Sequence, residues 1–231
     1  MDLLTCNGLY KNYGKKEVLK DINLTIPRGK IIGLLGKNGC GKTTLIKTIN
    51  DLLVPTKGEI RIKGEKIGIE GKKIISYLPE RTYLDLNLRV DEVITYFKDF
   101  YEDFDQERAH TLLEKLGISS KDHLRTMSKG TREKVQLVLV MSRRAELYIL
   151  DEPIGGVDPA TRDYILDTIM KNFNEGSSIL LSTHLIADVE RVLDEVIFME
   201  DGRIHLTANA DELRNKRGKS INEIFREEFK C

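Results

Sequence analysis

The stretch Ile31–Thr44 limits what this chain can fold into more than any other. Ile31-Ile32-Gly33-Leu34-Leu35 is a continuous apolar run, the pattern of a strand buried on both faces. Directly after it, Gly36-Lys37-Asn38-Gly39-Cys40-Gly41-Lys42-Thr43 satisfies G-x-x-x-x-G-K-[ST] at every fixed position, and a helical pattern runs from Thr43 to about Leu53. Strand, glycine loop and helix in that order make a phosphate cradle. Glycines let backbone N–H groups curl around phosphate oxygens, and the helix N-terminus adds positive potential where the charge sits. Lys42 is placed to reach the β- and γ-phosphates, and Thr43 to give its hydroxyl to Mg²⁺. The expected nucleotide-binding set is Gly36, Lys37, Asn38, Gly39, Cys40, Gly41, Lys42, Thr43 and Thr44.

The rest of the chain supplies a fold for that loop. Residues 1–30 read as short β runs broken at Asn12-Tyr13-Gly14 and Pro27-Arg28-Gly29, and residues 56–78 as short strands again. Between about 87 and 144 the spacing turns helical, through Val90, Val93, Ile94, Phe97 and Tyr101, then Leu112, Leu113 and Leu116, then a helix opened by Ser128. From 147 strand and helix alternate: strand 147–150, helix 160–174, strand 178–182, helix 185–193, strand 195–199. Such alternation argues for a parallel sheet, with the helical block as an insertion in one α/β domain. Ala210–Cys231 reads as a charged C-terminal helical tail.

Leu147-Tyr148-Ile149-Leu150-Asp151-Glu152 is a second apolar strand, ending in adjacent carboxylates. Asp151 is positioned to hold Mg²⁺ through water, as in P-loop NTPases generally, and Glu152 to polarise the water that attacks the γ-phosphate.

Gly36–Thr43, Leu147–Glu152 and Ser128-Lys129-Gly130-Thr131, with Asp151 23 residues after Ser128, resemble the nucleotide-binding subunit of an ABC transporter over nearly the whole chain. The resemblance implies a P-loop NTPase (RecA-like) α/β core with an N-terminal antiparallel β subdomain and an inserted α-helical subdomain. Residues 1–231 then form one ABC ATPase domain, with 1–86 and 145–231 as β subdomain and core, 87–144 as the helical signature subdomain and 210–231 as the tail. It also implies roles: Tyr13 stacking on adenine, Asp158 coupling the two sites of a dimer, His184 contacting the γ-phosphate, and Ser128, Lys129, Gly130 and Thr131 closing over ATP in trans. Cofactors would be ATP and Mg²⁺. Partners would be a second ATPase subunit, in a homodimer or heterodimer, and a separate membrane permease that holds this subunit at the cytoplasmic face of the membrane.

Two positions depart from the commonest pattern. The signature usually reads Leu-Ser-Gly-Gly-Gln, and here Lys129 and Thr131 stand in it. Glu80 replaces the usual glutamine at a position that senses Mg²⁺ and the membrane partner; glutamate can still ligate Mg²⁺. Such variants resemble the ATPases of bacterial antibiotic- and peptide-export systems. A soluble ABC ATPase of cofactor assembly would carry a similar cassette. A chromosome-organising member would need a coiled-coil insertion longer than the stretch after Glu80, and Asn215-Lys216-Arg217-Gly218 lacks the aspartate of a guanine reader.

Composition closes off other classes. Lys+Arg and Asp+Glu both total 37, so no general basic surface for nucleic acid is expected. Cys6, Cys40 and Cys231 form no paired motif, which fits a reducing, intracellular compartment. No leader is expected at the N-terminus, and the longest apolar stretch, Val135–Met141 interrupted by Gln136, falls far short of the about twenty residues a membrane span needs. Cys40, beside a helix N-terminus, is expected to have a lowered thiol pKa and raised reactivity, unless it is only a small residue tolerated in the loop. The aromatics of Phe97–Asp105 either pack inward or form part of a docking surface for the membrane subunit.

Overall fold

In this computed structural model residues 2–155, 158–171 and 176–229 are described. The chain opens with β1 (Leu4–Tyr13) and β2 (Lys16–Ile26), joined by a tight hairpin at Gly14, and then enters β3 (Ile31–Leu35). The glycine loop leads into α1 (Lys42–Ile49), shorter than the expected helix. β4 (Lys57–Ile62), β5 (Glu65–Lys66), α2 (Ile69–Lys73) and β6 (Ile75–Leu78) follow. The helical block holds α3 (Val90–Phe100), α4 (Gln106–Lys115) and α5 (Lys129–Met141). The last third comprises β7 (Leu147–Asp151), α6 (Pro159–Lys171), β8 (Ser178–Thr183), α7 (Ile186–Val189), β9 (Glu195–Glu200), β10 (Arg203–Asn209), α8 (Ala210–Arg217) and α9 (Ile221–Glu228).

β2-β1-β4-β5 make an antiparallel sheet, and β10-β9-β3-β8-β7-β6 a second sheet in which only β10 runs antiparallel to its neighbour. Because side chains alternate along a strand, each central strand serves two cores. Ile32, Leu34, Leu147, Ile149, Leu180, Ile197 and Met199 face one way, onto α1 and the first sheet. Ile31, Leu35, Tyr148, Leu150, Ile179, Leu181, Val196 and Phe198 face the other, onto the flanking helices. A third cluster of buried side chains, among them Val90, Ile94, Phe97, Leu112 and Leu124, belongs to the helical block.

α5 joins the block to the sheet. Leu137, Val140 and Met141 recur at helical spacing and enter the core of the flanking helices. Val135, Val138 and Leu139, one step round, enter the core of the block. The C-terminal half of the helix is therefore apolar all round, as a helix buried between two layers must be.

One expectation is corrected, one strand is added, and the helical tail gains detail. The helix expected over 185–193 is one α-helical turn followed by a 3₁₀ turn at Glu190–Val192. The strand β10 was not expected. The tail is two helices broken at Gly218, and Ile221, Ile224, Phe225 and Phe229 are buried in the core around Phe198. The end of the helix expected at 160–174, Gly156 and Val157, and Cys231 lie outside the described residues.

Candidate functional site

β3 lies at the heart of the larger sheet, flanked by β8 and β9, so the loop that leaves its C-terminal end starts from a fixed point. Two glycines there admit no side chain. A Cβ on Gly36 would lie 2.5 Å from the Met199 carbonyl oxygen and 2.6 Å from Cys40 Sγ. Gly41 sits at φ +112°, and its Cβ would lie 2.9 Å from Met199 Cε and 3.1 Å from the Val18 carbonyl oxygen. With that geometry the loop curls over Lys42, which is almost fully buried and donates to the carbonyl oxygens of Gly36 at 2.8 Å and Lys37 at 3.3 Å.

β7 and β8 run parallel, with Asp151 paired to Ser182, and this register puts the second half of the site together. Ser182 Oγ donates to Asp151 Oδ1 at 2.5 Å, and Thr43 Oγ1 donates to the same oxygen at 3.4 Å. Asp151 Oδ2 is buried without a hydrogen-bond partner. Burial raises the Asp151 carboxyl pKa, with the hydroxyls of Ser182 and Thr43 pulling it back and the charges of Glu152 and Glu80 pushing it further up.

Glu152 adopts φ +51°, a left-handed conformation that costs a non-glycine residue about 1–3 kcal/mol and gathers at functional sites. Its backbone N–H is held by the Ser182 carbonyl at 3.0 Å. Its carboxylate lies 3.5 Å from Lys42 Nζ, accepts from Thr183 Oγ1 at 3.0 Å, and meets His184 Nδ1 at 3.0 Å. A cation, a carboxylate and an imidazole thus converge at the strand ends.

They line a pocket of about 760 Å³ together with Asn38, Gly39, Gly41, Thr43, Thr44 and Glu80. Several neighbours carry no sequence signal: Val18, Arg81, Thr82 and Glu133 border the pocket, Thr183 holds its Glu152, and Ser182 holds Asp151, which lines the adjoining groove. The two hydroxyls stand on the last two residues of β8, and the β7–β8 register sets them against the carboxylates.

Other expected residues lie apart. Tyr13 stands half-exposed at the end of β1, with Lys11 Nζ 5.5 Å from its ring centre, outside the pocket lining. Ser128 is the exposed N-cap of α5, accepting from the Thr131 N–H at 3.1 Å, with the Thr131 hydroxyl 2.8 Å away. Of that motif only Lys129 borders the pocket, and its exposed ammonium lies 3.7 Å from Glu133. Gly130 has open space around it. Asp158 caps α6 through Thr161, whose N–H and hydroxyl hold its carboxyl below the usual range. Lys37 reaches across to the Phe229 carbonyl at 3.3 Å.

The expectation for Cys40 is overturned. Its side chain is buried, and burial raises the thiol pKa against the opposing pull of Lys42. The helix-terminus effect is outweighed because the sulfur points under the loop beside Gly36 rather than at solvent.

Beside the pocket runs a groove of about 1570 Å³ that shares Thr43 and Glu80 with it. Its wall includes Tyr83, Tyr96, Phe100 and Arg143. In the Phe97–Asp105 segment Phe97 and Phe104 are buried, which is the inward packing, while Phe100 is 66% exposed on the groove.

A parallel sheet whose central strand feeds a glycine loop, with paired carboxylates at the end of a nearby strand, defines a P-loop nucleoside triphosphatase. The family is narrower, and the chain belongs to it: the "ABC transporter" family model matches residues 19–155. The ABC transporter ATP-binding protein YdbJ of Bacillus subtilis is 33% identical over 96% of this chain and 74% of its own length. The lantibiotic transport ATP-binding protein SrtF of Streptococcus pyogenes is 29% identical over 96% of this chain and 98% of its own. A solved structure of an ATP-binding subunit of an ABC transporter superposes with a TM-score of 0.87 at 31% identity, covering 97% of this chain and 98% of that one. The protein is an ABC transporter ATP-binding subunit, and the subunits of this family are ATPases coupled to transport.

Proposed function

We propose that this chain drives export through a separate membrane subunit by closing as a dimer around ATP and reopening after hydrolysis. One observation carries the reading. Lys42, Glu152 and His184 converge within one chain, whereas Ser128 stands exposed on α5, outside that pocket. A second subunit docked head to tail would bring its Ser128 and Gly130 to the γ-phosphate, with the helix dipole of α5 behind them. Asn38, Lys129, Thr131 and Asp158 would line that interface, and Tyr13 would stack on the adenine.

The residues also fit Mg²⁺, a hard cation that takes oxygen ligands. Thr43 offers a hydroxyl, Asp151 a buried oxygen without a partner, and Glu80 an exposed carboxylate, all three lining the same groove. Bound there, the ion would neutralise charge on the phosphates. Lys42 would exchange its carbonyl partners for phosphate oxygens. Glu152 would take the proton of the attacking water, held in place by Thr183 and the strand register, while His184 bridges Glu152 and the γ-phosphate.

Residues 1–231 then act as one ABC ATPase domain, with 87–144 as the helical part that meets both partners. Among the described residues no helix is long and apolar enough to cross a membrane, and the permease would seat in the aromatic groove beside Glu80. The subunit would sit at the cytoplasmic face of the membrane. The SrtF relative is named for lantibiotic transport, which supports the transport reading.

The test is affinity purification of the tagged chain from detergent-solubilised membranes, with phosphate release measured on the isolated complex. An integral membrane protein should co-purify, and should be lost from a Tyr96→Asp/Phe100→Asp variant that still binds ATP. Recovery with soluble proteins alone would contradict the reading.

A further inference from the structure

Arg143 lies just past the end of α5, and its side chain is 4% exposed. A buried guanidinium has to be neutralised and hydrogen-bonded, and every partner of this one comes from another part of the molecule. Its Nε and Nη2 make a two-pronged pair with Asp103, at 2.9 and 3.1 Å, in the turn between α3 and α4. Nη1 donates to the Ile75 carbonyl and Nη2 to the Lys73 carbonyl, both at 2.5 Å. Those carbonyls belong to β6 and its approach, on the open edge of the larger sheet. The guanidinium carbon sits 4.0 Å from the centre of the Tyr101 ring. Backbone contacts reinforce the same joint: Asp105 N–H donates to Ser142 O at 2.7 Å, and Arg144 N–H to Asp103 O at 3.0 Å.

Each element tied here leads to a part of the proposed machine. β6 runs on to Pro79 and Glu80 at the nucleotide pocket. The α3–α4 turn continues the groove wall of Tyr96 and Phe100. α5, a 13-residue lever of about 20 Å, carries Ser128 at its far end. Apolar packing fixes the C-terminal half of α5, but the pair with Asp103 and the two edge carbonyls fixes where its base stands relative to β6.

We infer that Arg143 is a positioning residue: it locks the groove wall, the Glu80 strand and the base of α5 into one unit, and so sets where Ser128 is presented to a partner subunit's ATP. The inference rests on the dimer reading above. Lysine at this position keeps the charge but loses the fork and the ring contact, so it uncouples the joint without emptying the site.

The experiment compares Arg143→Lys and Asp103→Asn, each alone and combined with Glu152→Gln. ADP affinity, which needs no partner subunit, should stay within about twofold of the parent, because neither residue touches the phosphate loop. The ATP concentration that drives dimerisation of the Glu152→Gln protein should rise at least tenfold, and kcat/KM of the single variants for ATP should fall at least tenfold. Tyr101→Phe, which keeps a ring under the guanidinium, should behave as the parent, and Tyr101→Leu should share the defect. Unchanged dimerisation in Arg143→Lys and Asp103→Asn overturns the inference and leaves the dimer reading intact. A parallel loss of ADP affinity and thermal stability also overturns it, since Arg143 would then only stabilise the fold. A Glu152→Gln protein that binds ATP and stays monomeric overturns the dimer reading, and this inference with it.

Discussion

Asp151 is a buried acid short of partners, and its energetics can be read in both stability and binding. Burial raises its pKa in the folded chain above the unfolded value. Between those two values the folded chain holds a proton that the unfolded chain releases, so stability falls as pH rises through that window. Asp151→Asn removes the buried charge and keeps an oxygen for Ser182. Without ligand this variant should be as stable as the parent or more so, a gain of about 1 kcal/mol appearing as about 2–4 °C in Tm. It should also lose the Mg²⁺-dependent part of ATP binding. Calorimetry with and without Mg²⁺ and ATP reads both effects, and a clear loss of stability in the unliganded variant would refute the burial argument. His184 touches Glu152 rather than the loop glycines. Steady-state and binding measurements on His184→Ala should show kcat down at least a hundredfold with ATP affinity changed only a few-fold; an equal loss of affinity would make the histidine a binding residue instead.

Among the elements, the C-terminal helices contribute more than the word tail suggests. The Phe225 ring meets Phe198 edge-on with centroids 5.2 Å apart, and Phe229 packs against both. Phe225→Ala should cost about 3–5 kcal/mol in denaturant unfolding. Phe100→Ser, on the exposed groove face of α3, should change stability by less than about 0.5 kcal/mol. The same contrast explains how far the elements were legible in the sequence. Ile31–Leu35 and Leu147–Asp151 announce themselves because strands buried on both faces are apolar throughout. β10 has an alternating, half-exposed pattern with polar residues, yet its turn carried a signal: Asp201 and Gly202, both at positive φ, make the tight Asp-Gly hairpin. Lys42, Asp151 and Glu152 were legible because their chemistry needs fixed spacing. Ser182 and Thr183 were not, since their roles depend on the β7–β8 register. Cys40 departs from its expectation because burial, which the sequence around the helix terminus does not reveal, raises its thiol pKa.

For the whole molecule, the proposed ATPase site is divided between two copies, or between this chain and a similar one. One chain brings Glu152, the phosphate loop and His184 together, while Ser128 stays outside the lining of their pocket, beside Lys129, which borders it. Mixing tests the division. Lys42→Ala and Ser128→Ala proteins, each inactive alone, should regain hydrolysis when combined, because one of the two shared sites is then intact. The most direct measurement is light scattering after size exclusion on Glu152→Gln protein, with and without ATP. Removing the base should trap the closed state, and the account expects an ATP-dependent doubling of mass, abolished by Ser128→Ala. A monomer that persists with ATP demonstrably bound would contradict closure of this chain upon itself.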